Sequence, residues 1–535
     1  MNFLISKERK AIIVPGDEDF NLRVPTAKPL DYKGKRLWAV PFELRETIQL
    51  RALGYATPSP IGSYYDWPRE LSKIPAPFHN QVETAAFLTL NHRAYCLNDI
   101  GTGKTMSALW AADYLMSIGM VRKVLFMSPL STLDRVWGDS VFEHMGHRSI
   151  GVLHGTAAKR KKLFANSAFD FYVINHDGVD IIVDRVYKDI KGIRKLVGAK
   201  LMRDDIDLII IDELAVLRNM NTSRWKIIDK ALTPNMWCWG LTGTPTPNAA
   251  TDAYSQVKLL TPANVPSYFT AFRQMVRQQL TEYIWVDRKE AATIVNQVMQ
   301  PSIRFVRDEC FDLPPCAYST REVEMSAEQA KHYKEVAKEL YTEIQGGKVT
   351  AANEGVKMGK LLQIACGAVL DKEGKERMVD AKGRVNECRD IIDEAGHKVI
   401  IFVPYTAPLK MLFEELSKDY ECALIHGGVS KGQRGTIFTE FQKKPSLRVL
   451  VADAGCMSHG LTLTEANTVV WYAPEMSNDV YTQANGRITR PGQKNNQFII
   501  HLEGSELERR LYKRLEQRGT AQGILLALAA EGMPV

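Results

Sequence analysis

A glycine-rich stretch that ends in lysine and threonine is the first place where residue types and spacing point to chemistry. It lies between a short apolar run and a segment with helical spacing of apolar residues, which is the context of a phosphate-binding loop. In such a loop backbone N–H groups and the helix N-terminus face an anion, Lys104 reaches the β- and γ-phosphates, and the Thr105 hydroxyl can bind Mg²⁺. The usual pattern has glycine at its first position, where this chain has asparagine. The predicted phosphate-binding residues are Asn98, Asp99, Ile100, Gly101, Thr102, Gly103, Lys104 and Thr105.

Two adjacent acids, Asp212 and Glu213, follow the apolar run 208–211. An acid at the carboxyl end of a buried strand, beside a phosphate loop, is placed to handle Mg²⁺ and the attacking water. We expect Asp212 to hold the metal through water and Glu213 to orient and deprotonate the nucleophilic water. The alternative is a helix N-cap followed by a first-turn acid.

Two arginines near the end of the chain, Arg487 and Arg490, are three residues apart. The pattern predicts a helix that begins near Ser477 and ends before Pro491, so the two side chains would share a face. Two guanidinium groups on one face suit a γ-phosphate, and arginine fingers of this kind raise hydrolysis rates by about 10³–10⁵. The alternative is an exposed basic helix face.

The composition limits the classes of protein to which the chain can belong. At 535 residues the chain is expected to form two to four domains, and 45% hydrophobic with 24% charged residues is typical of globular proteins. A net charge of +7 permits a polyanionic partner but does not require one. The eight scattered cysteines indicate neither a zinc site nor a disulfide framework, and favour a reducing compartment. No signal peptide or membrane span is expected.

The elements that must position these residues form two α/β patterns. The first has apolar strand candidates at 124–127, 171–174, 208–211 and 237–239, which read as strands covered on both faces. The second begins near Gly396, with candidates at 399–403, 423–425, 449–451 and 468–471, and has no phosphate loop. Residues 249–360 between them lack strand alternation and are expected to be mainly helical.

These segments resemble the superfamily 2 helicases, specifically the Swi/Snf-type group of DNA-dependent ATPases and their compact bacterial or phage members. The resemblance spans about residues 77–493 and rests on the order and spacing of several motifs together. Besides the loop 98–105, it is carried by residues 77–81, by Ser128-Pro129-Leu130 with Trp137, by residues 212–219, by residues 241–245 with Asn248, by residues 454–462 and by residues 483–490.

The resemblance implies a role for each of these motifs. Gln81 would read adenine, and ATP and Mg²⁺ would be the cofactors, with Thr105 and Asp212 at the metal. The catalytic residues would be Lys104, Asp212, Glu213, Arg487 and Arg490. Gly460 would lie at the nucleotide, and the nucleic acid would meet Ser128, Pro129, Trp137, Thr242 and Thr462. Two positions depart from the family: Ala215 stands where it has histidine, and residues 454–462 form a longer version of their motif.

The N-terminal residues lie outside this resemblance. Lys33, Lys35 and Arg36 sit beside Tyr32 and Trp38, and basic residues mixed with aromatic ones can grip a backbone and stack a base. A solvated strand edge is the alternative, as is a module that only braces the first lobe.

The predicted fold class is α/β, with two RecA-like parallel-sheet lobes, helical insertions and a small N-terminal β-containing module. The predicted domains are an accessory module (1–75), lobe 1 (76–248), a helical insertion with a brace (249–390), lobe 2 (391–505) and C-terminal helices (506–535). The predicted function is an ATP-dependent translocase or helicase on duplex, forked or branched DNA in replication, recombination or repair. Its partners would be DNA and proteins of those pathways, in the cytoplasm of a bacterial cell or a phage-infected host. The alternatives are an RNA helicase and a nucleotide-switched DNA clamp that is not a motor.

Overall fold

The computed structural model describes residues 3–69, 76–190, 192–281, 285–345, 351–370, 376–457 and 462–517. The chain divides into two compact units, Met1–Cys310 and Phe311–Val535. No helix in the described ranges has both the length and the apolar character needed to cross a bilayer.

Unit 1 begins with a small antiparallel module. Its sheet has the strand order β1-β2-β4-β3, and alternation along β2 and β4 buries Ile12, Val14, Trp38 and Val40 around Phe20. The elements are β1 (Leu4–Ser6), β2 (Ala11–Pro15), α1 (Phe20–Arg23), β3 (Lys28–Tyr32), β4 (Lys35–Pro41), α2 (Leu44–Ala52) and α3 (Ile61–Tyr64).

The remainder of unit 1 contains a seven-stranded sheet with helices, in which every neighbouring pair of strands is parallel, and two separate antiparallel pairs of strands at 183–201 and 277–287. The order of the seven-stranded sheet is β15-β5-β12-β11-β6-β8-β7. The elements are α4 (His79–Leu90), β5 (Arg93–Cys96), α5 (Lys104–Ser117), β6 (Lys123–Ser128), α6 (Asp139–His144), β7 (Ile150–Val152), α7 (Ala157–Ala165), β8 (Phe171–Asn175), β9 (Val183–Ile190), β10 (Ile193–Leu201), β11 (Ile206–Asp212), α8 (Ser223–Ala231), β12 (Trp237–Leu241), α9 (Ala253–Leu260), α10 (Phe269–Val276), β13 (Arg277–Gln279), β14 (Trp285–Asp287), α11 (Ala291–Val298), β15 (Ser302–Ile303) and α12 (Arg307–Cys310).

The central strands of this sheet are buried on both faces. Along β11, Ile209 and Ile211 belong to one hydrophobic core, whereas Leu208 and Ile210 belong to another. Two cores on opposite faces explain why these strands are apolar throughout rather than alternating.

Unit 2 contains a six-stranded parallel sheet with the order β16-β23-β22-β19-β21-β20. Its elements are β16 (Cys316–Glu322), α13 (Ala327–Gln345), α14 (Ala351–Ala365), β17 (Ala368–Leu370), β18 (Glu376–Met378), α15 (Lys382–Glu394), β19 (Lys398–Phe402), α16 (Thr406–Leu416), β20 (Glu421–Ile425), α17 (Lys431–Lys443), β21 (Leu447–Ala452), β22 (Ala466–Trp471), α18 (Asn478–Asn485), β23 (Gln497–Glu503) and α19 (Glu506–Glu516). Residues 518–535 of the predicted C-terminal helices lie outside the described residues.

The predicted fold class is confirmed: each unit carries a parallel sheet, and the N-terminal module is an antiparallel one. The stretch between the two α/β patterns is less uniform than expected. Within it, β15 joins the sheet of unit 1 and β16 joins that of unit 2. The sequence did not reveal these strands because β15 has two residues and β16 is largely exposed, so neither forms an apolar run.

Candidate functional site

The glycine-rich loop connects the carboxyl end of β5 to the first residue of α5, Lys104. Gly101 and Gly103 have φ angles of 88° and 82°, a left-handed conformation that glycine adopts without strain. The hydroxyl of Thr102 donates a hydrogen bond of 2.8 Å to the carbonyl oxygen of Asp99, which closes the turn. This is the backbone shape that a phosphate-binding loop requires.

The ammonium group of Lys104 lies across this loop. Its Nζ donates hydrogen bonds to the carbonyl oxygens of Asn98 (2.8 Å) and Asp99 (3.1 Å). A phosphate at the loop would compete with these carbonyl oxygens for the ammonium group, and an ionised acceptor forms the stronger hydrogen bond.

Asn98, at the position where the pattern has glycine, is fully buried. Its side-chain nitrogen donates to the Thr84 hydroxyl (2.8 Å), and its side-chain oxygen accepts from the N–H of Phe305 (3.0 Å). This side chain therefore braces the loop against α4 and the segment after β15. Both polar atoms of the side chain are thus paired within unit 1, and the predicted contact of Asn98 with nucleotide stays a prediction.

The segment after β15 runs alongside the phosphate loop and is hydrogen-bonded to it. The N–H of Asp99 donates to the carbonyl oxygen of Phe305, and the carboxylate of Asp99 accepts from the N–H of Arg307 (3.3 Å) and lies 3.4 Å from the guanidinium of Arg304. This segment ends at Cys310, the last residue of unit 1. The loop is thus hydrogen-bonded to the stretch of chain that leads into unit 2.

Gln81 is buried against the loop from the other side. Its Oε1 accepts a hydrogen bond of 3.0 Å from the N–H of Phe78. A Cβ atom at position 103 would lie 2.0 Å from Gln81 Nε2, so only glycine leaves room for this side chain. Its predicted role toward adenine stays a prediction.

Asp212, the last residue of β11, is held by donors from the neighbouring strand and the turn that follows it. Its Oδ2 accepts from the Ser128 hydroxyl (2.8 Å) and the Trp137 indole N–H (3.2 Å), and its Oδ1 accepts from the N–H of Glu213 (3.1 Å). Ser128 and Trp137 are themselves fully buried. Both side chains lie inside unit 1 and orient the carboxylate, and their predicted contact with nucleic acid stays a prediction.

His176 also meets Asp212, and the sequence analysis missed it. Its Nε2 lies 2.7 Å from the carbonyl oxygen of Asp212, so this nitrogen carries the proton and donates it. Burial lowers the pKa of His176 to about 4, which keeps the ring neutral near pH 7. A histidine directly after β8, at the sheet edge where Asp212 ends β11, was the available sequence signal.

Glu213 adopts a left-handed backbone conformation, with φ of 51° and ψ of 55°. This conformation is unfavourable for a residue with a side chain and is concentrated at functional sites. The turn places Glu213 directly beyond the fixed carboxylate of Asp212.

Residues 242–245 lie against the phosphate loop. The N–H of Thr242 donates to the carbonyl oxygen of Cys96 (3.0 Å), and its hydroxyl accepts from the N–H of Thr244 (3.2 Å). A Cβ at position 243 would lie 3.3 Å from the Ile100 side chain. Thr242 is fully buried, and its predicted contact with nucleic acid stays a prediction. The backbone hydrogen bond from Thr242 to Cys96 links the residue after β12 to the last residue of β5, just before the loop.

In unit 2 the predicted arginine helix ends earlier than expected. Ser477 caps α18 by accepting from the N–H of Val480, as predicted, but the helix ends at Asn485 and Gly486 follows it as C-cap. Arg487 and Arg490 therefore lie in the turn after the helix and do not share a helix face. Arg487 is buried, and Arg490 donates to the Gly486 carbonyl (3.0 Å) and the Thr462 hydroxyl (3.2 Å). Gly460 lies outside the described residues.

Of the other predicted contacts, Pro129 is half-buried and Thr462 is exposed. Lys33, Lys35 and Arg36 are exposed around the turn between β3 and β4, and Lys33 lies over the ring of Tyr32. Trp38 is buried and its indole N–H donates to the carbonyl oxygen of Asp17. The idea that Trp38 stacks a base is wrong, because its ring is part of the module's core.

A family model described as the SNF2-related domain matches residues 81–368, more than half of the chain. The chain belongs to the SNF2-related family. A second model, the helicase conserved C-terminal domain, matches residues 383–492 of this SNF2-related protein. The resemblance to Swi/Snf-type superfamily 2 proteins is thereby confirmed, and the protein is an SNF2-family ATPase.

Curated relatives of this SNF2-related chain include a phage protein and a much longer fish protein. Putative protein p41 of Acyrthosiphon pisum secondary endosymbiont phage 1 is 24% identical over 82% of this chain and 96% of its own length. Chromodomain-helicase-DNA-binding protein 8 of Danio rerio is 23% identical over 77% of this chain, which spans only 17% of that relative. The solved Sulfolobus solfataricus SWI2/SNF2 ATPase core in complex with dsDNA is 21% identical, covering 87% of this chain and 95% of that one, with a TM-score of 0.40.

Proposed function

We propose that this SNF2-family protein is an ATP-dependent DNA translocase or helicase that acts on duplex, forked or branched DNA. The observation that supports it best is the meeting of three segments at one sheet edge of unit 1. The phosphate loop, the pair Asp212 and Glu213, and the segment that begins at Thr242 follow β5, β11 and β12, which are neighbours in the sheet. The carboxyl edge of a parallel sheet is where such folds bind their ligands.

The residues at this edge fit ATP with Mg²⁺. The loop offers backbone N–H donors and the ammonium of Lys104, and Thr105 and Asp212 offer oxygen atoms of the kind that Mg²⁺ prefers. Because both Asp212 oxygens already accept hydrogen bonds, this carboxylate suits a metal held through water. The bound nucleotide supplies the γ-phosphoryl group that is transferred to water.

Each protein group then has a defined task. Lys104 exchanges its two carbonyl partners for phosphate oxygens, and Glu213 orients the attacking water and takes its proton. Thr242 and the glycine after it transmit changes in the loop to the end of β12. Alternating grip on a DNA backbone would convert turnover into steps.

DNA is proposed as the track because the chain carries a net charge of +7 and because the name of one relative includes DNA binding. The likeness to a phage protein, over 82% of this chain and 96% of that relative, supports a bacterial or phage-infected cell as the setting. A role in replication, recombination or repair there is part of the proposal. Proteins of those pathways would be further partners.

ATP turnover should be measured without polynucleotide and with duplex DNA, forked DNA, single-stranded DNA and RNA. A DNA translocase is expected to be stimulated by DNA well above its basal rate. Stimulation by RNA alone would identify an RNA helicase. ATP binding that alters DNA affinity without stimulated turnover would identify a clamp. Either result contradicts the proposal.

We assign fork preference to the N-terminal module, whose exposed cations surround the turn between β3 and β4. The triple variant Lys33→Ala/Lys35→Ala/Arg36→Ala keeps the buried core of the module and should bind duplex DNA while losing its preference for a fork. If fork preference and affinity are unchanged, the module only braces unit 1.

A further inference from the structure

A basic two-stranded ribbon lies between β8 and β11 in the chain of unit 1, and none of the sequence motifs includes it. β9 pairs with β10 in antiparallel register, and the two form a sheet of their own. Residues 183–201 contain six lysines and arginines but only two aspartates. Every residue of β9 after Val183 is exposed.

The register defines which face of the ribbon points outward. Tyr187 is opposite Leu196 and Arg185 is opposite Ala199, so these residues share one face. Leu196 and Ala199 pack against the hydrophobic core of unit 1. The other face of the ribbon therefore points away from the core.

Two lysines lie directly opposite each other on this outward face. The register pairs Lys188 with Lys195, and both are exposed. Among the described residues, no carboxylate lies within ion-pair distance of either ammonium, whereas Arg185 has Asp180 at 4.0 Å. Like charges directly opposite on a sheet destabilise it, and a two-stranded ribbon has little stability to spare. An anion between or beside the two ammonium groups would relieve this repulsion.

Apolar side chains accompany this pair. Val186 and Ile190 precede and follow Lys188 on the same face and are 55% and 41% exposed. Exposed aliphatic groups beside phosphate-binding lysines suit a nucleic acid, whose sugars and base faces are apolar and whose backbone is anionic.

We propose that the outward face of the β9–β10 ribbon is a nucleic-acid contact, with Lys188 and Lys195 on backbone phosphates and Val186 and Ile190 against sugars or unstacked bases. The inference rests on the proposed function. It adds a contact from an element outside all the sequence motifs. The ribbon acts on affinity for DNA and on choice among DNA structures, because its outward face carries none of the groups assigned to hydrolysis.

The test is the double variant Lys188→Ala/Lys195→Ala in the full chain, with Lys188→Arg/Lys195→Arg as the charge-preserving control. DNA affinity is measured by titration at several salt concentrations for duplex and forked DNA, together with basal ATP turnover and the unfolding temperature. The alanine variant is expected to bind more weakly and to lose about 1 unit of salt slope for each lysine removed. The arginine control should match the unaltered protein. Basal turnover and unfolding temperature should not fall in either variant.

Two results distinguish the ways in which the idea can fail. If the unaltered protein neither binds DNA nor responds to it, the proposed function itself is wrong. If the unaltered protein binds DNA and the alanine variant keeps the same affinity and salt slope, the ribbon is not a nucleic-acid contact, and its lysines serve as edge protection or face a protein. A photoreactive residue placed at Val186 gives an independent readout, since it should cross-link to bound DNA, and the absence of a cross-link would overturn the proposal.

Discussion

The hydroxyl of Ser128 donates a hydrogen bond of 2.8 Å to the carboxylate of Asp212, between the ends of the neighbouring strands β6 and β11. The indole of Trp137 donates both to this hydroxyl (2.9 Å) and to the carboxylate (3.2 Å). Ser128, which the sequence suggested as a nucleic-acid contact, thus helps to orient the carboxylate of the proposed metal site. Groups that orient a metal ligand typically contribute about 10–100-fold to metal affinity or activity.

Ser128→Ala should therefore lower ATP turnover by about tenfold and raise the Mg²⁺ concentration needed for half-maximal rate. The cause is a carboxylate that has lost one of its fixed donors. Mg²⁺ titrations of turnover, together with DNA affinity measured without nucleotide, check this. Ser131→Ala, at an exposed position three residues away, is the matched control. A loss of DNA affinity with an unchanged Mg²⁺ requirement would return Ser128 to the nucleic-acid contacts.

Lys104→Ala and Glu213→Gln should both abolish turnover but differ in ATP binding. The lysine variant loses a phosphate contact, whereas the glutamine variant keeps the shape of the side chain and loses only the base. Binding of a fluorescent ATP analogue should be weak in the first variant and preserved in the second, which should also trap ATP. Equal losses of affinity would show that Glu213 is not the base.

His176 should make stability depend on pH in a defined window. An exposed imidazole has a pKa of about 6.5, and burial lowers the pKa of His176 to about 4. Between these values the unfolded chain binds a proton that the folded chain does not, so stability falls as pH falls from about 6.5 to about 4. His176→Gln keeps an N–H donor for the Asp212 carbonyl and should show a flatter pH dependence of the unfolding temperature over that window. An identical pH dependence in the variant would contradict the assignment.

Unit 2 contains a buried ion pair whose energetics can be tested separately. Arg384 and Glu508 are 2% and 0% exposed and lie 2.5 Å apart, and Glu508 also accepts from the N–H of Gly504. Arg384→Leu leaves a buried carboxylate without its cation and should destabilise unit 2 by about 3–5 kcal/mol. Arg384→Leu/Glu508→Leu should be less destabilised than the single variant, because both charges are gone. Urea unfolding of the variants measures this. Additive losses would mean that the two side chains are not coupled.

Where the chemistry demands particular residues at particular spacing, the sequence determined the result by itself. The phosphate loop requires glycine at positions with positive φ, followed by lysine and threonine at a helix start, and the structure has this shape at Gly101, Gly103 and Lys104. The two parallel sheets could also be predicted from the sequence, because strands that are buried on both faces form continuous apolar runs. The end of the apolar run 208–211 also predicted that Asp212 lies at the carboxyl end of a strand, and it is the last residue of β11.

Only the tertiary structure decided which distant groups satisfy the buried polar atoms. The Asn98 side chain pairs with Thr84 and Phe305, and Asp212 takes Ser128, Trp137 and His176 as partners. These partners are separated by up to about two hundred residues in the sequence. The periodicity of apolar residues predicts which side chains are buried, but it does not predict which residues they contact. The end of α18 at Asn485 was also not predicted. The helical spacing of apolar residues continues to Ile488, but Gly486 ends the helix as its C-cap. A buried donor or acceptor must be paired, but the fold selects the pair.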